Sequence, residues 1–277
     1  MHFEENLLEL PIGVFDSGMG GLTVLKQLSE VLPNESFIYL GDTARLPYGT
    51  KSQDTVVQYA KQMAQKLISK GIKCLVIACN TATTSALDAL RQLYPQLPII
   101  GVIEPGAIAA VTASKKQSIL VLATETTVRS GVYQRTICRL EPKAQVAAKA
   151  CGLFVALAEE GCIADEVTDA VLRKYLPPSQ TLEQDCILLG CTHFPVLAVQ
   201  IQKHQPGVTI VDSAIETAKA VKAELHQANL ISKAASCGQI SYLVTDLPER
   251  FARIGQIFLG KSISLASVEL VSAGSGT

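Results

Sequence analysis

The chain reads as an α/β protein: two similar α/β domains with mainly parallel sheets covered by helices, and the active site in the interdomain cleft. Three observations lead there. Short runs that are apolar throughout, such as Ile119–Ala123 and Cys186–Leu189, alternate with segments whose apolar residues recur at helical spacing. Such runs suit strands buried on both faces, as in parallel sheets with helices on each side. The polar motifs fall at the C-terminal ends of these runs, where open α/β sheets bind their ligands. Finally, one strand-end pattern occurs twice. Residues 74–81 read Cys-Leu-Val-Ile-Ala-Cys-Asn-Thr, and residues 186–193 read Cys-Ile-Leu-Leu-Gly-Cys-Thr-His.

The first element is a strand over Ile12–Phe15. The turn Asp16-Ser17-Gly18-Met19-Gly20-Gly21 leads into a helix from Leu22 to Val31, with Leu22, Leu25 and Leu28 on one face. Ser36–Leu40 is the next strand, followed by a long polar loop from Gly41 to Gly49. Thr55–Lys70 is helical, with Gly71 as its terminator. Lys73–Ala78 is a strand, Thr84–Tyr94 a helix and Pro98–Val102 a strand.

A second set follows. Gly106–Ala113, Val128–Leu140, Ile163–Tyr175 and Val196–His204 read as helices. Ser118–Ala123, Gln145–Lys149, Cys186–Gly190 and Thr209–Val211 read as strands. Ala214–Gln227 is helical, and the tail carries a strand near Ile240–Val244 and a helix near Leu247–Phe258. Divisions near 101–105 and 211–214 give a first domain of residues 1–100 plus 212–277 and a second of residues 101–211. The cleft between two such domains is the default ligand site.

With 277 residues, 48% of them hydrophobic, the chain can build one large core or two ordinary ones. A net charge of −1 argues against a nucleic-acid partner, and the absence of Trp argues against base stacking. No apolar stretch approaches the roughly 18–20 residues that span a bilayer, so no membrane association is expected. Met1–Leu10 is acidic and lacks the basic start and long apolar run of a signal peptide, which points to a cytoplasmic protein.

Eight cysteines in that compartment are expected to be reduced thiols. Cys74 and Cys79 are five apart, as are Cys186 and Cys191. On a strand an odd separation sends side chains to opposite faces, so neither pair makes a metal clamp and no metal is expected. Cys74 and Cys186 read as core packing. His2, His204 and His226 read as surface residues.

Cys79 and Cys191 each end an apolar strand and precede a helix, whose N-terminal field favours a thiolate. Placed on opposite walls of one cleft, two thiols could take a proton from one face of a carbon and return it to the other. His193, two residues after Cys191, could orient that thiol or share its proton. Asp16-Ser17 precedes a glycine-rich turn that is neither GxGxxG nor a phosphate loop, so nucleotide binding is disfavoured. Asp16 could bind an ammonium, accept a proton from a thiol, or cap the helix. Backbone N–H groups of Tyr48 and Gly49 could hold a carboxylate, while Asp42 and Arg45 read as a surface pair or loop brace. Glu159-Glu160 marks either a solvated helix end or a carboxylate reaching the Cys191 side. The hydroxyls of Thr124, Thr126 and Thr127 could bind a carboxylate or cap the next helix.

On these motifs the chain resembles the glutamate racemase family of the aspartate/glutamate racemase superfamily. The likeness covers residues 11–260. It rests on the ordered set Phe-Asp-Ser-Gly-Met-Gly-Gly (15–21), Gly-Asp-Thr-Ala-Arg-Leu-Pro-Tyr-Gly (41–49), Ala-Cys-Asn-Thr-Ala-Thr (78–83), Leu-Gly-Cys-Thr-His-Phe-Pro (189–195) and Val-Asp-Ser-Ala (211–214). The resemblance implies a racemase that needs no cofactor, takes glutamate as its small-molecule substrate, supplies D-glutamate for peptidoglycan and forms a homodimer.

It also implies roles. Cys79 and Cys191 resemble the two acid/base thiols, Cys79 working on the D face and Cys191 on the L face. Asp16 and Ser17, Tyr48 and Gly49, Asn80 and Thr81, and Thr192 and His193 resemble the substrate-contacting pairs. Asp16, His193 and one of Glu159 or Glu160 resemble the groups that assist the thiols. The chain departs from the family where it has Ala123 in place of Gly, and Gly152 and Ala156 in place of prolines. The rival readings are an aspartate or other racemase of the superfamily, a one-cysteine decarboxylase, and a non-enzymatic amino-acid-binding protein.

Overall fold

The computed structural model describes residues 7–274, so His2 lies outside the described residues. Among the described residues ten strands form two sheets. β1 (Ile12–Asp16), β2 (Phe37–Gly41), β3 (Cys74–Ile77), β4 (Ile99–Gly101), β9 (Ile240–Val244) and β10 (Val268–Leu270) make the first sheet, in the order β10-β9-β2-β1-β3-β4. The second, β6-β5-β7-β8, holds β5 (Ser118–Ala123), β6 (Gln145–Ala150), β7 (Cys186–Gly190) and β8 (Thr209–Asp212). Every neighbouring pair is parallel.

The helices are α1 (Leu22–Val31), α2 (Gln53–Ser69), α3 (Asn80–Leu93), α4 (Ile103–Ala113), α5 (Glu125–Ser130) and α6 (Val132–Leu140). α7 (Gly152–Glu160), α8 (Glu166–Tyr175), α9 (Ala198–His204), α10 (Ala214–Gln227) and α11 (Pro248–Leu259) complete the set. None is long and apolar enough to cross a membrane among the described residues.

The apolar strands are buried on both faces. In β3, Cys74 and Val76 join one core cluster while Leu75 and Ile77 join another across the sheet. In β7, Cys186 and Leu188 face one way and Ile187 and Leu189 the other. Cys74 and Cys186 are therefore core residues, as expected. Full burial of each such aliphatic side chain contributes about 1.5–3 kcal/mol, which is why these strands tolerate no polar alternation.

The two sheets share a strand order. β2-β1-β3-β4 in the first corresponds to β6-β5-β7-β8 in the second. β3 and β7 therefore occupy equivalent positions, and Cys79 and Cys191 emerge at equivalent strand ends.

Several elements differ from the sequence reading. α3 starts four residues before the expected Thr84, with Cys79 itself as N-cap. The helix expected over Val128–Leu140 is two helices, split at Gly131, which adopts φ +65°. α8 begins at Glu166, where Asp165 caps it by accepting the Thr168 N–H at 2.9 Å. β10, a three-residue edge strand beside β9, and α7 were not among the expected elements.

Candidate active site

The lobes meet at the C-terminal ends of β1, β3, β5 and β7. Both motif thiols are enclosed there: Cys79 is 5% exposed and Cys191 6%. Hydrogen bonds cross between the lobes around them. Thr23 Oγ1 donates to Thr192 O at 3.2 Å, Thr192 Oγ1 donates to Asp16 at 3.4 Å, and Thr126 Oγ1 donates to Gly49 O at 2.9 Å. The approach is close enough that a Cβ on Gly20 would overlap the His193 ring.

On the first-lobe wall, Cys79 Sγ accepts the Ala82 N–H at 3.4 Å and lies 3.6 Å from Ser17 Oγ. Asp16 is fully buried and accepts the Gly18 N–H at 3.0 Å. Gly21, the N-cap of α1, offers no side chain, and the Asp16 carboxyl meets its backbone N–H instead, so Asp16 both steadies the helix start and faces the cleft. Burial pushes the Asp16 carboxyl above its ordinary range, with partial relief from the His193 charge and the Gly21 and Gly18 N–H groups. The helix N-terminus expected to favour a Cys79 thiolate is present but outweighed. Burial, then the Asp16 charge, pushes the thiol up to about 12, so it keeps its proton.

The second-lobe wall is different. The helix expected over Val196–His204 begins at Ala198, and a 3-10 turn over Phe194–Leu197 stands between it and Cys191. What stands beside Cys191 is His193, its Nδ1 3.9 Å from Sγ, with its Nε2 3.0 Å from Glu159 Oε1. Burial alone would depress this imidazole. Its hydrogen bonds with Cys191 and Glu159 win, and the pKa rises to about 10. Cys191, His193 and Glu159 thus form a relay carrying a buried cation. Glu160, one residue on, is exposed and pairs with Arg250 at 3.0 Å. The structure brings Glu159 to the thiol and turns Glu160 away.

Polar groups line the space between. Thr81 Oγ1 lies 2.9 Å from Thr124 Oγ1 and 3.3 Å from Thr127 Oγ1, a hydroxyl cluster joining the lobes; Thr124 makes no side-chain cap. Asn80 reaches the Tyr133 hydroxyl at 2.8 Å. Tyr48 and Gly49 sit in a 3-10 turn held by Asp42. Asp42 is no surface residue: it is fully buried, accepts from Tyr48 Oη, and bonds Arg45 Nε at 2.7 Å and Thr245 Oγ1 at 2.9 Å. Tyr39, which the motifs did not flag, donates to Gly18 O at 3.0 Å and pins the glycine turn. His204 pairs with Asp169 at 3.1 Å and His226 is exposed, both away from the cleft.

A cavity of about 450 Å³ lies elsewhere, between α3, α4 and α10, and holds none of the motif residues. A smaller one of about 270 Å³, bounded by Pro47, Gly49, Thr124 and Tyr175, opens at the rim of the thiol cleft.

Two enclosed thiols on equivalent strand ends, one beside a carboxylate and one beside a histidine relay, define an α/β protein equipped for proton transfer across a cleft. The sequence matches the Asp/Glu/Hydantoin racemase family over residues 12–221. It is 46% identical over 250 residues to a glutamate racemase of Geobacter metallireducens, covering 90% of this chain and 92% of that one. Among solved structures it is similar to the glutamate racemase of Francisella tularensis in complex with D-glutamate, with a TM-score of 0.89 at 35% identity over 97% of this chain and 100% of that one. The glutamate racemase of Thermus thermophilus in complex with beta-chloro-D-alanine matches with a TM-score of 0.84 at 40% identity, over 96% and 98%. The chain belongs to this racemase family, and the relatives named here are glutamate racemases.

Proposed function

We propose that this protein interconverts L- and D-glutamate by a 1,1-proton transfer at Cα, without a cofactor, and so supplies D-glutamate for peptidoglycan. The observation that carries this is the pairing of Cys79 and Cys191 at equivalent ends of β3 and β7, on opposing lobes closed over one cleft.

One cysteine, as thiolate, takes the Cα proton while the other, as thiol, gives its proton to the opposite face; one proton leaves and one arrives. Cys79, pushed up to about 12, enters as the acid. Cys191, beside the His193 cation and Glu159, enters as the base. With the family's assignment of Cys191 to the L face, these roles are those for L-glutamate, and they exchange for D-glutamate. In this reading Asp16, a buried carboxyl on the cleft wall, holds the substrate ammonium. Asn80, Thr81, Thr127 and Thr192 supply donors for the carboxylate at the reacting carbon, whose developing negative charge they stabilise. Backbone N–H groups of Tyr48 and Gly49, on the loop braced by Asp42, receive the far carboxylate. The same family likeness carries a homodimer and a cytoplasmic location.

The test is incubation with L-glutamate in D₂O without added cofactor. Loss of the Cα signal by proton NMR, with optical rotation decaying toward zero, is the expected result. Exchange with aspartate but not glutamate would keep the chemistry and replace the substrate. Binding of glutamate with no exchange at all would leave a binding protein and overturn the proposal.

A further inference from the structure

Tyr133 belongs to neither cysteine motif, yet it meets both. It lies on α6 in the second lobe and is 1% exposed. Its ring fills the space beside Gly190, the residue before Cys191: a Cβ there would stand 2.8 Å from Tyr133 Cε2. Its hydroxyl oxygen lies 2.8 Å from Nδ2 of Asn80, the residue after Cys79. One rigid side chain spans the two strand ends that carry the thiols.

The amide of Asn80 is enclosed, with the residue 3% exposed. One end meets Tyr133, and the other, Oδ1, is buried with no hydrogen-bond partner. The two ends of an amide have the same shape, so the partner at one end decides which group the other presents. Burial holds the Tyr133 phenol in its protonated form. Among the described residues its hydroxyl makes no hydrogen bond besides the one to this amide. An O–H that needs an acceptor selects the amide oxygen. The NH₂ group is then at the free end, which suits an acidic ligand, since a carboxylate needs a donor there.

We propose that Tyr133 is a positioning residue: it orients the Asn80 amide so that the NH₂ group faces the substrate carboxylate, and it ties that orientation to the strand end bearing Cys191. The inference rests on the glutamate reading above and adds the residue that sets the polarity of the carboxylate site.

The experiment is a double-mutant cycle on Tyr133→Phe and Asn80→Ala. It is read both as KM and kcat and as the glutamate dissociation constant by titration calorimetry, which needs no turnover. Phe keeps the ring over Gly190 and removes only the hydroxyl. Tyr133→Phe is expected to raise KM and the dissociation constant about tenfold. In the Asn80→Ala background the same change should add nothing, because its effect passes through the amide. A further tenfold loss in that background would make Tyr133 a packing residue and overturn the inference. A Tyr133→Phe variant that binds like the unaltered protein would overturn it too. Unaltered protein that neither binds nor racemises glutamate would instead overturn the proposed function, and this inference with it.

Discussion

Glu159 and His193 meet at 3.0 Å inside the closed cleft, and the same imidazole reaches back to Cys191 through its other nitrogen. Among the described residues no corresponding cation stands beside Cys79, which faces the carboxylate of Asp16. The two thiols therefore share a place in the fold but not an environment, and the consequences can be measured.

Replacing either Cys79 or Cys191 with Ser should lower racemisation by several orders of magnitude, because an alcohol is a far weaker acid than a thiol. Circular dichroism of L- and D-glutamate reads this directly. Undiminished turnover in both single variants would end the two-thiol mechanism.

Glu159→Gln should lower kcat about 10- to 100-fold, the usual cost of losing an outer partner that orients a histidine. Glu160→Gln, which removes only an exposed ion pair with Arg250, should leave kcat within about twofold. Equal losses in the two variants would count against the relay.

His193 also makes stability depend on pH. An unfolded histidine titrates near 6.5, whereas here the value is about 10. The folded protein keeps a proton that the unfolded chain loses in between, so this contribution is complete below pH 6.5 and declines as pH rises toward 10. Cys79 acts with the same sign above pH 9, because the unfolded thiol ionises there while the folded one holds its proton to about 12. Urea unfolding at pH 6, 8 and 9.5 should show the decline in the unaltered protein. His193→Gln should flatten it between pH 6.5 and 9, a difference on the order of a few kcal/mol. Parallel curves would show that His193 does not carry it.

Gly20→Ala places a methyl group where the His193 ring stands, so the lobes must part or the ring must turn. The expected result is at least a tenfold fall in kcat/KM with less effect on melting, since the collision lies at the cleft rather than in a core. Activity like that of the unaltered protein would mean that the approach at Gly20 is not needed for turnover.

The strands and long helices were legible because their signals are local. Ser118–Ala123, Cys186–Gly190, Leu22–Val31 and Ala214–Gln227 occupy the expected residues. The start of α3 was hidden because Asn80-Thr81-Ala82-Thr83-Thr84 is poor in helix formers and Cys is not a usual cap. β10 was hidden because Val268–Leu270 is short and mostly exposed, with no apolar run to mark it.

At the site, the motif residues were readable and their surroundings were not. Adjacent helical residues point about 100° apart, so only the packing of α7 could distinguish Glu159 from Glu160. The burial of Asp42 depends on Thr245, about two hundred residues away. Tyr133 meets Asn80 across the two lobes, 53 residues away in sequence, and nothing near it in the chain marks it.

The repeated strand order relates the two thiol-bearing walls by something like a rotation, never a reflection, because both are built from L-residues. The substrates are reflections of each other. The protein must therefore treat two objects of equal free energy in water with two unequal hands: a carboxylate beside one thiol and an imidazolium beside the other. Equal energies oblige kcat/KM to be identical in the two directions, whatever the walls contain. The inequality can surface only in how that ratio divides. The enantiomer held more tightly must also be turned over more slowly, by the same factor.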